Sequence, residues 1–167
     1  MAKHGSSPEG VIVGCCNLVV EDGAYLLVKE SKPSALFRYN LPAGKPEVGE
    51  TLLEAAAREA LEEAGIEVSV VGLVGIYHCA QTTEGFGVVN FVFESLRVGG
   101  ALRSSAAHPE VRFFSAEEVD DLAERRMLRG THIRGAIHDH AHGRGLPLSV
   151  LQTVPPSAAP PIWSTPT

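Results

Sequence analysis

Gly44-Lys45-Pro46-Glu47-Val48-Gly49-Glu50 runs directly into Thr51-Leu52-Leu53-Glu54-Ala55-Ala56-Ala57-Arg58-Glu59-Ala60-Leu61-Glu62-Glu63-Ala64-Gly65-Ile66. The first part is a loop punctuated by glycine and proline. The second reads as a helix from about Leu52 to Ala64: Thr51 and Glu54 have capping-box spacing, and Gly65 stands where a helix stop belongs. At about 100° per residue, Glu62, Glu59 and Glu63 fall at roughly −60°, 0° and 40° around the axis. Leu53, Ala57, Ala60, Leu61 and Ala64 fall between about 100° and 200° and form the expected buried stripe. Three carboxylates thus crowd one edge beside the apolar face.

Like charges at this spacing cost about a few tenths of a kcal/mol even when exposed. Glu62 and Glu63 also occupy the last turn, where the helix dipole favours cations. A hard divalent cation, Mg²⁺ or Mn²⁺, resolves the conflict, because it takes carboxylate oxygens and keeps waters for a phosphate group. Arg58 is the cation on the same helix that can orient a glutamate or the loop. The bland alternative is a solvated acidic face with Arg58 as a surface partner. The glycines of the preceding loop weigh against it, since they let backbone approach a bound ion or phosphate.

Working outward, Val11 to Val20 reads as a strand, Glu21-Asp22-Gly23-Ala24 as a turn, and Tyr25 to Val28 as the returning strand of a hairpin. Ser31 to Arg38 reads as a loop, Tyr39-Asn40-Leu41 as a short extended piece before Pro42, and Ala43 to Glu50 as a second loop. Val68 to His78 and Gly87 to Val98 are further strands, the latter alternating Val89, Phe91, Phe93 against Val88, Asn90, Val92, Glu94. Glu110 to Phe114 is a short strand. Ser115 and Glu118 open another capping box for a helix through about Leu122, with helix again from Thr131 to Ala141. That order predicts an α+β fold, an α/β/α sandwich with a mixed β-sheet between helices. Residues 1–9 form a polar leader, 10–154 the domain, and 155–167 a proline-rich tail.

The 167 residues suffice for one domain with a real core, and 44% hydrophobic against 20% charged is a globular balance. A net charge of −6 argues against stable nucleic-acid binding, and Arg125, Arg126 and Arg129 form only a short stretch beside acids. The expected partner is a small molecule. Vicinal Cys15 and Cys16 lie in an apolar run and should point to opposite faces of a strand as buried, reduced thiols. With Cys79 the count is odd, which speaks against a secreted disulfide scaffold. No apolar run is long enough to span a bilayer and no signal peptide is evident, so a cytoplasmic location is expected.

Gly44, Glu50, Arg58, Glu59, Glu62, Glu63 and Gly65 occupy every fixed charged and glycine position of the Nudix box, and the chain resembles the Nudix hydrolase family over that whole segment. Ala60 stands at a position that is usually a larger aliphatic. The resemblance implies a pyrophosphohydrolase that splits a diphosphate by water attack on phosphorus. In such a site Glu59, Glu62 and Glu63 supply metal-ligating carboxylates, one of them able to activate water instead. Arg58 holds Glu59, Glu50 braces the loop, and a backbone carbonyl near Ala43 or Gly44 is a further ligand. A base outside the box is often present in the family. Glu110 is the first candidate for it, with Glu84 and Glu94 as alternatives.

Phe37, Arg38 and Tyr39 precede the box and are the candidate substrate contacts for a ring or phosphate. The Pro42-Ala43-Gly44 entry and the alanine-rich helix also resemble, more weakly, the bacterial phosphatases of thiamine-type pyrophosphates. The proline expected after the box in ADP-ribose-cleaving members is missing, since residues 67–107 contain none. His138 and His142 have i,i+4 spacing that suits a transition metal, but with His132 and His140 they read better as a polar face. Trp163 reads as a packing anchor. The apolar strands leave room for a homodimer, an assembly common in the family. The competing reading is a Nudix-fold sensor that binds its ligand without cleaving it; an intact Arg58, Glu59, Glu62 and Glu63 set favours catalysis.

Overall fold

The computed structural model describes residues 10–82 and 85–154. The leader 1–9, Glu84 and the tail 155–167 with Trp163 lie outside the described residues. Val11–Glu21 (β1) and Ala24–Lys29 (β2) form the expected hairpin, pairing Val20 with Tyr25 and Glu21 with Ala24. Asp22 and Gly23 close it at φ 50° and 77°, a turn that needs two left-handed residues. Then follow Tyr39–Asn40 (β3), Ala43–Gly44 (β4), Leu52–Glu59 (α1), Ile66–Cys79 (β5), Gly87–Gly100 (β6), Val111–Phe114 (β7), Ala116–Glu124 (α2) and His132–Ala141 (α3).

The strands make one sheet in the order β3-β2-β1-β6-β5, with β4 added on β1 and β7 on β2. The β1–β6 pair is parallel and the other pairs are antiparallel, so the sheet is mixed. On one face α1 packs through Ala55, Ala56, Ala60 and Ala64 against Cys15, Val19, Leu26, Val28, Leu73 and Phe93. On the other, Val119 and Leu122 of α2 and Ile133, Ala136 and Ile137 of α3 cover Cys16, Leu18, Leu27, Val92 and Phe114. This is the expected α+β sandwich. Cys15 and Cys16 serve opposite cores as free, buried thiols. Burial pushes the Cys15 thiol up to about 11 and Cys16 further still, which keeps both protonated and inert. Among the described residues, no helix is long and apolar enough to cross a membrane.

Two local expectations change. Ala43 and Gly44, read as loop, pair with Cys16 and Cys15 of β1, because Pro42 is drawn onto the sheet: its carbonyl accepts the Asn17 N–H at 2.9 Å. The second change is the rotation of the central helix. Its capping box is present, with the Glu54 N–H on Thr51 Oγ1 and the Thr51 N–H on Glu54 Oε2, but Ala60–Ala64 continue α1 as a π-helical turn that ends on left-handed Gly65. The buried face is Ala55, Ala56, Ala60, Glu63 and Ala64, while Leu61 is 46% exposed and Leu53 and Ala57 are only partly covered. The helix is therefore turned by about a quarter of a revolution from its expected stripe.

Two physical causes select that rotation. Alanine side chains let the helix axis approach the sheet more closely than leucines would. The second cause is polar. Asn17 is wholly buried on β1, and its Nδ2 donates to the Ala56 carbonyl at 2.7 Å and the Pro42 carbonyl at 3.3 Å, while its Oδ1 accepts from Ser95 Oγ at 2.9 Å. A buried amide must be satisfied, and only one helix rotation offers it the Ala56 carbonyl.

Replacing Asn17 by Ala removes three side-chain hydrogen bonds from the core, leaves Ser95 Oγ without its acceptor and should cost about 2–4 kcal/mol of stability. Urea unfolding measures this, as a lower midpoint at unchanged slope. A loss within about 0.5 kcal/mol of zero, the range of an ordinary surface substitution, would remove Asn17 as the anchor of the helix.

Candidate functional site

The rotated helix presses its carboxylates against the sheet. Glu59 is only 12% exposed, and its carboxylate lies so close to Gly44 that a Cβ there would overlap it. Glu63 is buried; its Oε2 accepts the Ala43 N–H at 2.9 Å and its Oε1 stands 3.2 Å from His108 Nε2. Glu62 turns outward and reaches Arg58 Nη1 at 3.5 Å. Burial raises the Glu59 pKa above the usual carboxylate range, the Arg58 hydrogen bond opposes that, and the charges of Glu63 and Glu62 add to the rise.

Arg58 ties the loop to the helix. Its Nε and Nη2 fork onto Glu50 at 2.8 and 3.0 Å, Nη2 also donates to the Lys45 carbonyl at 3.0 Å, and Nη1 donates to Glu59 Oε1 at 2.7 Å. The guanidinium in turn holds the Glu50 carboxyl below its ordinary pKa. Glu50 is thereby committed to the loop, where it also accepts the Glu47 N–H at 2.9 Å. This planar fork is arginine chemistry that lysine cannot reproduce.

Among the described residues, no three His, Cys, Asp or Glu side chains already converge at the spacing of one ion's ligands. The donor chemistry nevertheless fits a hard cation. Glu59 and Glu63 offer carboxylate oxygens withdrawn from water, adjacent residues Ala43 and Gly44 lie against them, and Glu62 stands exposed on the same helix end.

His108, Glu30 and Asn40 join this cluster without having been singled out from the sequence. Glu30 is 2% exposed; it pairs with Lys32 at 2.9 Å, accepts from Asn40 Nδ2 at 3.5 Å and stands 3.9 Å from His108 Nε2. Glu63 raises the His108 pKa through their hydrogen bond, against the opposing effect of burial. Nothing in spacing marks these residues, because the β2–β7 pairing alone brings 108 beside 30.

Glu110 is not brought to the helix glutamates. Its Oε2 accepts from Tyr39 Oη at 2.7 Å and Lys29 Nζ at 3.3 Å, and its Oε1 from Arg112 Nε at 3.1 Å. Burial pushes its pKa up, but these donors outweigh it and hold the carboxyl below the usual range. Glu94, 44% exposed, faces His140 at 3.7 Å. The run Phe37-Arg38-Tyr39 divides. Tyr39 is buried edge-on to Phe114, exposed Phe37 stands over Lys29 at φ 63°, and Arg38 lines the large cavity. The late histidines disperse: His138 and His142 stack on each other, His140 meets Tyr25 edge-on, and His132 lines the cavity.

That cavity, about 1010 Å³, has Ala43, Gly44 and Lys45 on its wall and α3 residues across it. Among the described residues, its lining holds four basic side chains, Lys32, Arg38, Lys45 and Arg129, and one acid, Glu30. In a chain of net charge −6 this is a local reversal of sign that suits an anion. Asn40 Oδ1, Thr82 Oγ1 and His132 Nε2, on three lining residues, are buried without a hydrogen-bond partner among the described residues. Burial lowers the His132 pKa to about 4, so the ring there is neutral near pH 7.

Comparison with known proteins adds a history to this geometry. A family model of the NUDIX domain matches residues 8–132. The chain is 31% identical over 106 residues to an ADP-ribose pyrophosphatase of Methanocaldococcus jannaschii, covering 64% of this chain and 63% of that protein. It is 35% identical over 141 residues to the 8-oxo-dGDP phosphatase NUDT18 of Mus musculus, covering 78% of this chain and 42% of the relative. The solved structure of a NUDIX hydrolase from Nitrosomonas europaea superposes with a TM-score of 0.77 at 30% identity, over 86% of this chain and 97% of that one.

His132 makes stability depend on pH in a defined direction. Its folded pKa lies below the unfolded value near 6.5, so the unfolded chain binds the proton more readily. Its contribution is complete above pH about 6.5 and is lost as pH falls towards 4, amounting to up to about 3 kcal/mol. His132→Gln should flatten the urea-midpoint profile across that window. An unchanged profile would show that the ring is not held neutral by the fold.

Proposed function

The chain belongs to the NUDIX domain family of hydrolases, and from that premise we propose that it is a metal-dependent enzyme cleaving a diphosphate linkage in a small organic molecule. One observation carries the reading: Glu59 and Glu63 are held out of water against Ala43 and Gly44, and those two backbone residues line a cavity that also has basic side chains on its wall. Carboxylates are placed so at the expense of stability, and the arrangement makes sense where a cation and an anionic substrate complete it.

Glu59, Glu62 and Glu63 are the residues that would hold Mg²⁺ or Mn²⁺, with the Gly44 backbone beside them. When bound there, such an ion supplies charge neutralisation for the diphosphate and lowers the pKa of water. The chain's own residues do the rest. Arg58 positions Glu59 through the 2.7 Å hydrogen bond and holds the loop through Glu50. Lys45 and Arg38 draw the anion into the cavity. A water oxygen forms the new bond to phosphorus, the bridging P–O bond breaks, and its electron pair leaves with the departing phosphate. The released proton passes to a carboxylate, one of the three helix glutamates acting in that role instead of holding the ion; Glu110 is engaged by Tyr39, Lys29 and Arg112. Two free, buried thiols, Cys15 and Cys16, are in keeping with a reducing cytoplasm.

Phosphate release from a panel of organic pyrophosphates should require Mg²⁺ or Mn²⁺ and stop on chelation. Glu59→Gln and Glu63→Gln should each lower kcat by about 100-fold or more while leaving the thermal midpoint near that of the parent. Full turnover in both variants, or in excess chelator, would overturn the assignment. Ligand binding without any release would move the protein to the sensor class.

A further inference from the structure

Glu63 is held from outside its own helix. Its Oε2 accepts the Ala43 N–H at 2.9 Å, and its Oε1 lies 3.2 Å from His108 Nε2. An ionised carboxylate only accepts, so the ring nitrogen is the donor. The other two helix glutamates are treated differently. Glu59 is tied at Oε1 to Arg58, its neighbour on the same helix, and Glu62 is 59% exposed with Arg58 at 3.5 Å. Of the three, Glu63 is the one gripped on both oxygens by donors from other elements, among the described residues. Each carboxylate oxygen carries two lone pairs, so one on each stays open to a further partner.

His108 is placed with little freedom. The loop before β7 is stitched to the end of β2: the Ser31 N–H donates to the Ala107 carbonyl at 3.0 Å, Ser31 Oγ to the Ala106 carbonyl at 2.9 Å, and the Lys29 N–H to the Glu110 carbonyl at 2.8 Å. Within the loop, the Ser105 N–H donates to the His108 carbonyl at 2.9 Å and the His108 N–H to Ser105 Oγ at 3.0 Å. The ring is thereby delivered between two buried acids. Glu30 is the farther, at 3.9 Å from the same nitrogen, and Lys32 at 2.9 Å and Asn40 at 3.5 Å already engage it. The Nε2–H therefore goes to Glu63. Stability is a weak reason for the arrangement, because a buried ion pair is often no better than apolar side chains of the same volume. What it supplies is geometry. A hydrogen-bond donor behind a metal-ligating carboxylate fixes its orientation, and losing such a partner weakens metal binding by about 10- to 100-fold.

We propose that His108 is a positioning residue of the metal site: through its Nε2–H it holds the Glu63 carboxylate in the orientation that receives the divalent cation. In this role it touches neither substrate nor the reacting atoms and acts through Glu63. The Ala43 N–H is a backbone donor that any residue but proline would offer, so His108 is the half of the grip that a side chain controls. The proposal rests on the hydrolase reading and deepens it, tying the ion's ligand set to the loop between β6 and β7.

Mn²⁺ binding to the full chain without substrate, followed by electron paramagnetic resonance and calorimetry, tests it. His108→Leu keeps the bulk and loses the donor, and should weaken Mn²⁺ binding by about 10-fold or more. His108→Gln, which can place an N–H near the same point, should recover most of that loss. Equal affinity in the parent and His108→Leu, or His108→Gln as weak as His108→Leu, would overturn the proposal and leave the hydrolase reading intact. A parent that binds no Mn²⁺ ends both. Should His108→Leu fail to fold, nitrogen NMR of the parent's histidines during a Mg²⁺ titration decides, with the His108 signal identified as the one absent in His108→Gln. A His108 signal that moves as Mg²⁺ saturates supports the proposal, and one that stays fixed while Mg²⁺ binds overturns it.

Discussion

Two carboxylates held out of water set the terms for everything around them. A charge removed from solvent must find a partner or neutralise, and the penalty is several kcal/mol if it does neither. Glu59 meets Arg58, and Glu63 meets the Ala43 N–H and His108. Those partners are themselves committed: Arg58 forks onto Glu50 and the Lys45 carbonyl, and His108 also faces Glu30. The loop 45–50, the end of β2 and the segment entering β7 are thus bound into one electrostatic unit around the end of α1.

The fold makes that unit possible by bringing a helix very close to a sheet. Alanines at 55, 56, 60 and 64 reduce the separation, and Asn17 sets the rotation by requiring the Ala56 carbonyl. Gly44 is then needed where the Glu59 carboxylate arrives, because any side chain there would occupy the same space. The π-helical turn at Ala60–Ala64 brings Glu63 against Ala43 of β4 while the chain still reaches Gly65 in time to enter β5. Turns of this kind are rare and often mark functional positions. Stability is given up at the glutamates and recovered in the two cores, a division expected of a site that awaits a ligand.

The opposite wall of the site has another logic. Side chains on a strand alternate faces, so the short segment 37–40 sends Arg38 and Asn40 to the cavity and Tyr39 into the core beside Phe114. The cavity gathers basic groups from the β2–β3 connection, the loop after β4 and the start of α3. These segments are far apart in sequence, and among the described residues of the lining the basic side chains outnumber the acidic one.

Much was determined by sequence alone, wherever the controlling interaction is local. The capping boxes at Thr51 and Ser115, the Asp22-Gly23 turn, the Gly65 stop and the strand alternation all depend on neighbours within a few residues, and each stands where it was read. That Arg58 orients a glutamate or the loop was legible from its place on the helix, while its hold on Glu59, one position away, was implied by the family resemblance and not by helix spacing. The tertiary structure decided the rest. The helix rotation depended on Asn17, some forty residues from its acceptor, and ranking residues by hydrophobicity put Leu61 inside when it lies outside. Sequence proximity to the β7 entry suggested Glu110, yet the turn at Pro109 delivers His108 to Glu63 and Glu110 to Tyr39. Such outcomes follow from which long-range partner satisfies a buried polar group, and that is settled only when distant strands pair.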